Sequence, residues 1–315
     1  IRDSISMMAY VSRRLLAAIP VLLVVAVFVF SLLRFSGGDP AAIIAGDMAT
    51  PEQLAAIRAQ LGLDQPLPVQ FATWTGQLLT GDFGTSLISR TPVTTLIGQR
   101  LEPTLSLALV AIVITVLIAV PLGVLAAWRH GGIVDNVVSA ATVLGFSVPV
   151  FVVGYVLIQI FSNELRWFPV QGFKPISQGL GPFLSTTILP ALTLSSIYIA
   201  LIARMTRASM LDVLNEDYVR TARAKGLSER LVLFRHALRN AAVPILTVIG
   251  TGFALMISGV VVTESVFNLP GLGRLTVDAI LARDYPVIQA LILLTSLVYV
   301  CLLYTSDAAD EEDSV

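Results

Sequence analysis

The sequence predicts an all-α integral membrane protein with six transmembrane helices, an external helical region between the first and second spans, and a polar helical elbow on the cytoplasmic side. Three observations carry this. Of the 315 residues, 56% are hydrophobic and 13% charged, with a mean hydropathy of +0.84, a composition that a soluble surface of this size does not tolerate. A helix needs about 20 apolar residues to cross about 30 Å of hydrocarbon, and six runs of that order occur: 13–34, 104–127, 137–161, 186–207, 243–263 and 287–304. Backbone groups in lipid must pair within their own segment, so long unbroken runs mean helices, whereas the strands of a barrel would be shorter and alternating.

Taken in order, the first run follows Arg13 and Arg14 and is longer than the apolar part of a signal peptide, with no small-residue cleavage site after it. It reads as a retained span behind a short cytoplasmic segment, residues 1–12. "MAYVSRRLL" reads as a natural start, with "IRDSIS" lying upstream of it. The connection over 36–103 is long enough to be organised. In "TPEQLAAIRAQLGL", Thr50 is placed to cap a helix that has Pro51 at its first position, Gln53 to complete a capping box and Gly62 to end it. Leu54, Ile57 and Leu61 form its apolar stripe, and a second short helix is expected around Phe71, Trp74 and Leu78 before the turn "GDFG".

Basic residues in short loops stay on the cytoplasmic side. Arg13 and Arg14 put the amino terminus inside, and alternation then puts Arg129, Arg204, Arg207, Arg220, Arg223, Lys225, Arg230, Arg235 and Arg239 inside too. The external segments carry Arg34, Arg58, Arg90, Arg100, Arg166, Lys174, Arg274 and Arg283, spread over more residues and interleaved with acids. Both termini are expected in the cytoplasm.

The densest charge lies in "EDYVRTARAKGLSERLVLFRHALRN", residues 216–240, between two apolar runs. Periodicity predicts one helix over 209–224, with Met210, Val213, Leu214, Tyr218 and Thr221 on one side, and a second over 228–238, with Leu231, Leu233, Phe234 and Leu238. Gly226 between them suits a left-handed helix end, and Ser228 suits the cap of the helix that follows. Asp212, Glu216, Asp217 and Glu229 are mixed among the basic residues, which suits a protein partner better than an anionic lipid surface.

Several function classes are excluded or disfavoured. Lys174 and Lys225 are the two lysines, and neither follows a glycine as a phosphate-binding loop requires, so no ATP hydrolysis is expected in this chain. The centres of the six spans hold no ionisable residue of the kind that couples ions or protons. Arg34, Arg204, Arg207 and Glu264 sit near span ends, where snorkelling or interface contacts account for them. No set of His, Cys, Asp or Glu has metal or triad spacing; His130 and His236 read as polar loop residues, and Cys301 stands alone. An enzyme is the weakest reading.

A transport path without its own nucleotide site must borrow energy, and the elbow is where a motor would push. The stretch "EDYVRTARAKGLSERLVLFRHALRNAAVPIL" resembles the cytoplasmic EAA loop of permease subunits of ABC importers, in the form typical of the dipeptide, oligopeptide and nickel group. Ala222 and Gly226 match the small residue and the glycine of that signature, while Arg220 and Arg239 stand where the general signature has glutamate and proline. "GDFGTSLISRTPV", "GFSVPVFVVGYVLI" and "ESVFNLPGLGRLTVDAILARDYPVIQA" are similar to the same group, and the long external region resembles a dipeptide-permease B-type subunit.

The resemblance covers residues 7–304 and places the importer transmembrane domain at 13–304, with the EAA-type loop at 208–240. It implies half of a translocation path for dipeptides or short oligopeptides in the bacterial cytoplasmic membrane. The partners implied are a C-type permease subunit, two ATPase subunits that bind ATP and Mg, an external solute-binding protein and membrane lipid; nucleic acid has no place, and this chain holds no cofactor or metal. Asp217, Arg220, Ala222, Arg223, Gly226 and Leu227 would couple to the ATPase. Alternatives are a nickel-complex or oligosaccharide permease of the same architecture, or an ion-coupled secondary transporter. Gly123, Gly145, Pro149, Gly154, Gly250, Gly252 and Gly259 within the spans are expected to allow close helix approach or kinks. The acidic end "TSDAADEEDSV", residues 305–315, departs from the family; it reads as non-native or as a disordered extension.

Overall fold

The computed structural model describes residues 19–31, 40–45, 49–60 and 62–312. Its helices are α1 (Ile19–Ser31), α2 (Pro40–Ala45), α3 (Pro51–Gln60), α4 (Leu67–Leu79), α5 (Val93–Trp128), α6 (Ile133–Ser147), α7 (Val150–Leu157), α8 (Leu180–Leu214), α9 (Asp217–Ala224), α10 (Glu229–Leu231), α11 (Leu238–Val266), α12 (Leu272–Leu281) and α13 (Tyr285–Glu312). Wider π-helical turns continue α7 to Glu164 and join α10 to α11 through Val232–Ala237. Among the described residues the extended pairing is confined to an isolated bridge between Thr85 and Pro92.

Four stretches, Val93–Trp128, Leu180–Leu214, Glu229–Ile257 and Tyr285–Leu302, are long and apolar enough to cross a membrane. They contain or overlap four of the expected spans. The third expected span, 137–161, is not one straight helix: α6 and the stretch Val150–Glu164 meet at 102°. Pro149 is the cause, because its ring disfavours helical backbone at the preceding residue and it has no N–H to donate. Val148 accordingly has φ −90° and ψ 121°. Of the first expected span, α1 is described and is shorter than a membrane crossing; the flanks of the run, with Arg13, Arg14 and Arg34, lie outside the described residues. The acidic end is not a coil where it is described, since α13 runs to Glu312.

The chain divides into two compact units. The first holds the described residues up to Leu101 together with Arg274–Cys301. Here the expected capping box forms: the Gln53 N–H donates to Thr50 Oγ1 at 3.3 Å, and the Thr50 N–H donates to Gln53 Oε1 at 3.0 Å. Gly62 ends α3 with φ +65°. Leu54 and Ile57 are half-buried as the stripe requires, while Leu61 lies outside the described residues. Half-buried Phe71, Trp74 and Leu78 face one way along α4, and the rings of Phe71 and Trp74 lie 5.3 and 5.6 Å from that of Phe30 on α1. The region expected to be external is therefore folded, at α4, onto the first apolar helix. The "GDFGTSLISRTPV" turn is tied to the start of α13: buried Asp284 accepts the Ser86 hydroxyl at 2.5 Å and the Leu87 N–H at 3.0 Å.

The second unit holds Glu102–Gly273 with the residues from Leu302 on. Its central rod is α8, whose apolar stretch is 67% buried against 39% for α5 and 28% for Glu229–Ile257. Leu189, Leu194 and Tyr198 of α8 pack with Leu107, Met256, Val260 and Phe267 in the main core. Toward the other end, Met210 packs with Val124, Leu233, Ala237 and Ile245. Glycines set several crossings. A Cβ on Gly123 would lie 2.7 Å from the Ala203 carbonyl oxygen, one on Gly145 would lie 3.1 Å from Ala200 Cβ, and one on Gly154 would meet Thr193 and Val266 at 3.2 Å. Gly252 and Gly259 are looser, with nearest neighbours at 3.8 and 3.3 Å.

Candidate functional site

The elbow begins where α8 stops. Asn215 and Glu216 break the helix, Glu216 being extended at φ −70° and ψ 147°, and α9 starts at Asp217. The single helix expected over 209–224 is thus two helices, because Asn215 bonds back to the Leu211 carbonyl through its side chain (2.9 Å) and ends the run. The break rotates the inward face. Val219 and Ala222 are buried, while Tyr218 and Thr221, expected inside, are exposed.

Gly226 has φ +78°. The Gly226 N–H donates to the Arg223 carbonyl at 2.9 Å and the Leu227 N–H to the Ala222 carbonyl at 3.4 Å. This is the paired pattern of a Schellman helix end, completed by apolar contact of Leu227 with the cluster of Val219, Ala222 and Val232. Ser228 stands at the cap position of α10, but its hydroxyl makes no capping bond. The expected helix over 228–238 is the widened beginning of α11 rather than a separate element. Its buried residues are Val232, Leu233 and Ala237; Leu231 and Phe234 are 38% and 59% exposed.

Among the site residues read from sequence, Ala222, Gly226 and Leu227 build the elbow, and Asp217 and Arg220 stand outside it. Ala222 allows close approach to Val232 of this same chain. The Arg220 guanidinium donates to Asp217 at 3.3 Å, one turn away and solvated on both sides. Arg223 is not a free rim charge: its Nε and Nη2 donate to Glu229 Oε1 and Oε2 at 2.9 and 3.4 Å, closing a clip across the Gly226 turn. Glu229, read from sequence only as a first-turn acid, is joined to the turn by this pair. Arg and Glu on opposite sides of a glycine helix end was the signal for the clip. The acidic Asp217 in the first turn of α9 and basic Arg223 in its last complement the helix dipole.

Two further buried charges lie in the second unit. Arg207 does not snorkel: its Nε and Nη2 donate to Asp135 Oδ1 and Oδ2 at 2.5 and 2.8 Å. The Gly131 N–H adds a bond to Asp135 at 2.9 Å, and His130 Nδ1 lies 3.0 Å from it. Glu264 is fully buried, accepting the Thr104 hydroxyl at 2.5 Å, and the same hydroxyl accepts the Leu272 N–H at 2.8 Å. Gly271 leaves the room the Glu264 carboxylate occupies, since a Cβ there would collide with it.

Residues 119–311 match the family described as binding-protein-dependent transport system inner membrane component, and residues 7–108 match its amino-terminal companion family. The chain is 54% identical to a Sinorhizobium fredii protein described as "probable peptide ABC transporter permease protein y4tP", over 95% of this chain and 96% of the relative. It is 47% identical to the glutathione transport system permease protein GsiC of Salmonella choleraesuis, over 94% of each. In fold it is similar to a chain of the inward-facing MetNI methionine ABC transporter, with a TM-score of 0.53 and 17% identity over 69% of this chain and 97% of that one. By both family matches and by relatives about half identical over nearly the whole chain, the chain belongs to the family of inner membrane components of binding-protein-dependent transport systems.

Proposed function

We infer that this chain forms one half of the translocation path of an ATP-driven importer of dipeptides or short oligopeptides, and that α9 is the surface on which an ATPase subunit bears. The observation that carries the coupling reading is the elbow itself. A short helix is closed at its carboxyl end by the Gly226 turn, buried on the Val219 and Ala222 side and charged on the other, so a force applied to Asp217, Tyr218 or Arg220 passes to α8 and α11 without first unfolding a loop. The relatives named for peptide and glutathione transport support short peptides as cargo.

The assembly contains this chain, a C-type permease, two ATPase subunits that bind ATP and Mg, and an external solute-binding protein. ATP closes the ATPases, the elbow moves, and the path switches between inward and outward access. In the membrane the chain makes six spans with both termini cytoplasmic, α1 being the described part of the first. Uptake of a labelled dipeptide is the test, in vesicles bearing the purified complex with ATP inside the ATPase-facing compartment and ion gradients collapsed. Uptake that continues agrees with this function; uptake that stops with the gradients and ignores ATP removes it.

A further inference from the structure

Asp135 and Arg207 lie outside the elbow, yet they form a forked ion pair in which the carboxylate is buried and the guanidinium half-buried. Asp135 stands in the first turn of α6 and is 3% exposed. Its carboxylate accepts both Arg207 nitrogens and the Gly131 N–H. A buried ion pair is poor evidence of stability, because well-packed apolar residues in its place are often as good or better. A bidentate fork does something else: it fixes separation and rotation between two elements at once.

The two elements are the ones a coupling movement must pass through. Arg207 sits seven residues before the end of α8, about 10 Å from the elbow along the helix axis. Asp135 starts α6, which leads through the 102° bend into α7. The chain joins α5 to α6 through the short turn 129–132, in which the Gly132 N–H donates to the Arg129 carbonyl at 2.9 Å and Gly131 adopts φ +72° with no neighbour within 4 Å of a Cβ position. Beside the close approach of α6 to α8 at Gly145 and Ala200, the fork is a charged tie between these two helices. We propose that Asp135 and Arg207 are positioning residues that latch the α6 start to the α8 stalk, so that displacement of the elbow drives the bent α6–α7 span. The inference rests on the coupling reading of the elbow.

Hydrogen exchange on the assembled transporter, with and without ATP, distinguishes the two. In the unaltered complex, ATP is expected to change exchange over 203–224 and over 129–139 together. In Asp135→Asn and in Arg207→Met the change over 203–224 persists and that over 129–139 is lost, and stimulation of ATP hydrolysis by loaded binding protein falls about tenfold. The double variant is no worse than either single one, as members of one pair require. Both segments still responding together in Asp135→Asn, or additive losses in the double variant, would overturn the latch and leave the coupling reading standing. An unaltered complex whose 203–224 segment ignores ATP would remove both. Arg207→Lys keeps the charge without the fork and is expected to assemble with reduced stimulation; failure of every variant to assemble, this one included, would assign the pair to folding and overturn the proposal.

Discussion

Gly226 is held at φ +78° with open space around it, so a side chain there meets no neighbour and the cost of substitution is backbone strain alone. For a β-branched residue that strain is on the order of 1–2 kcal/mol, enough to open the Schellman end without disturbing the spans. Gly226→Val is therefore expected to lose stimulation of ATP hydrolysis by loaded binding protein, and Gly226→Asn, which tolerates this conformation, to retain most of it. Equal stimulation in both variants would show that the turn does not set the contact. Glu229 is half-exposed and bonded to Arg223, which makes it a participant in the elbow. Reversing Arg223 alone to Glu should weaken coupling, and adding Glu229→Arg should restore it. An exposed pair contributes little to overall stability, so the readout is the stimulated ATPase rate rather than melting. A double reversal as poor as the single one would assign Arg223 to the partner instead of the clip.

At the scale of elements, the crossings on α8 decide how much movement the bundle allows. Gly123 brings α5 against the α8 backbone, because a Cβ there would lie 2.7 Å from the Ala203 carbonyl oxygen and 2.5 Å from Thr206 Cβ. Neither gives way without shifting the helix, so Gly123→Ala should destabilise by about 1–3 kcal/mol, the usual cost of overpacking. Gly252→Ala meets only side-chain tips at 3.8 Å and should be close to neutral. Thermal unfolding of the two variants in detergent checks the difference, and matching midpoints would contradict the packing described. The bend between α6 and α7 is another such decision: the apolar run over 137–161 reads as continuous because Val148 and Pro149 do not interrupt its hydropathy, only its hydrogen bonding.

For the whole molecule, the family together with several membrane-length apolar helices makes the chain a multi-pass inner membrane protein, and its outer surface agrees. Leu105, Leu109, Val113 and Leu117, four residues apart along α5, are 42%, 56%, 55% and 68% exposed in the isolated chain. Lipid or a second permease must cover such a stripe. Expressed with ATPases but without a C-type subunit, the chain is expected to show no uptake; a transport-competent assembly lacking that subunit would contradict the two-permease path. Helices α3 and α4 have the capping box and the aromatic contact of Phe71 and Trp74 with Phe30 to keep them folded. Deleting residues 50–80 should weaken docking of the solute-binding protein, measured as its affinity for the purified complex, and unchanged affinity would make the region a passive cover.

The sequence by itself determined what depends on local period and on single-residue conformation. Apolar runs long enough to span, the Thr50 and Gln53 capping box, the left-handed Gly226 and the signature that carries the family are all written within a few neighbouring residues, so chain context is sufficient to read them. Tertiary structure decided what depends on partners distant in the chain. Asp135 meets Arg207 across 72 residues and Thr104 meets Glu264 across 160, and nothing in the spacing of either pair announces the other member. The same holds for the inward face of the elbow. Periodicity assigned it to Tyr218 and Thr221 on the premise of one helix, and the two-residue break at Asn215 and Glu216 turned Val219 and Ala222 inward instead. A helix reports its own register, but the rotation of one helix relative to the next is fixed by the packing they share.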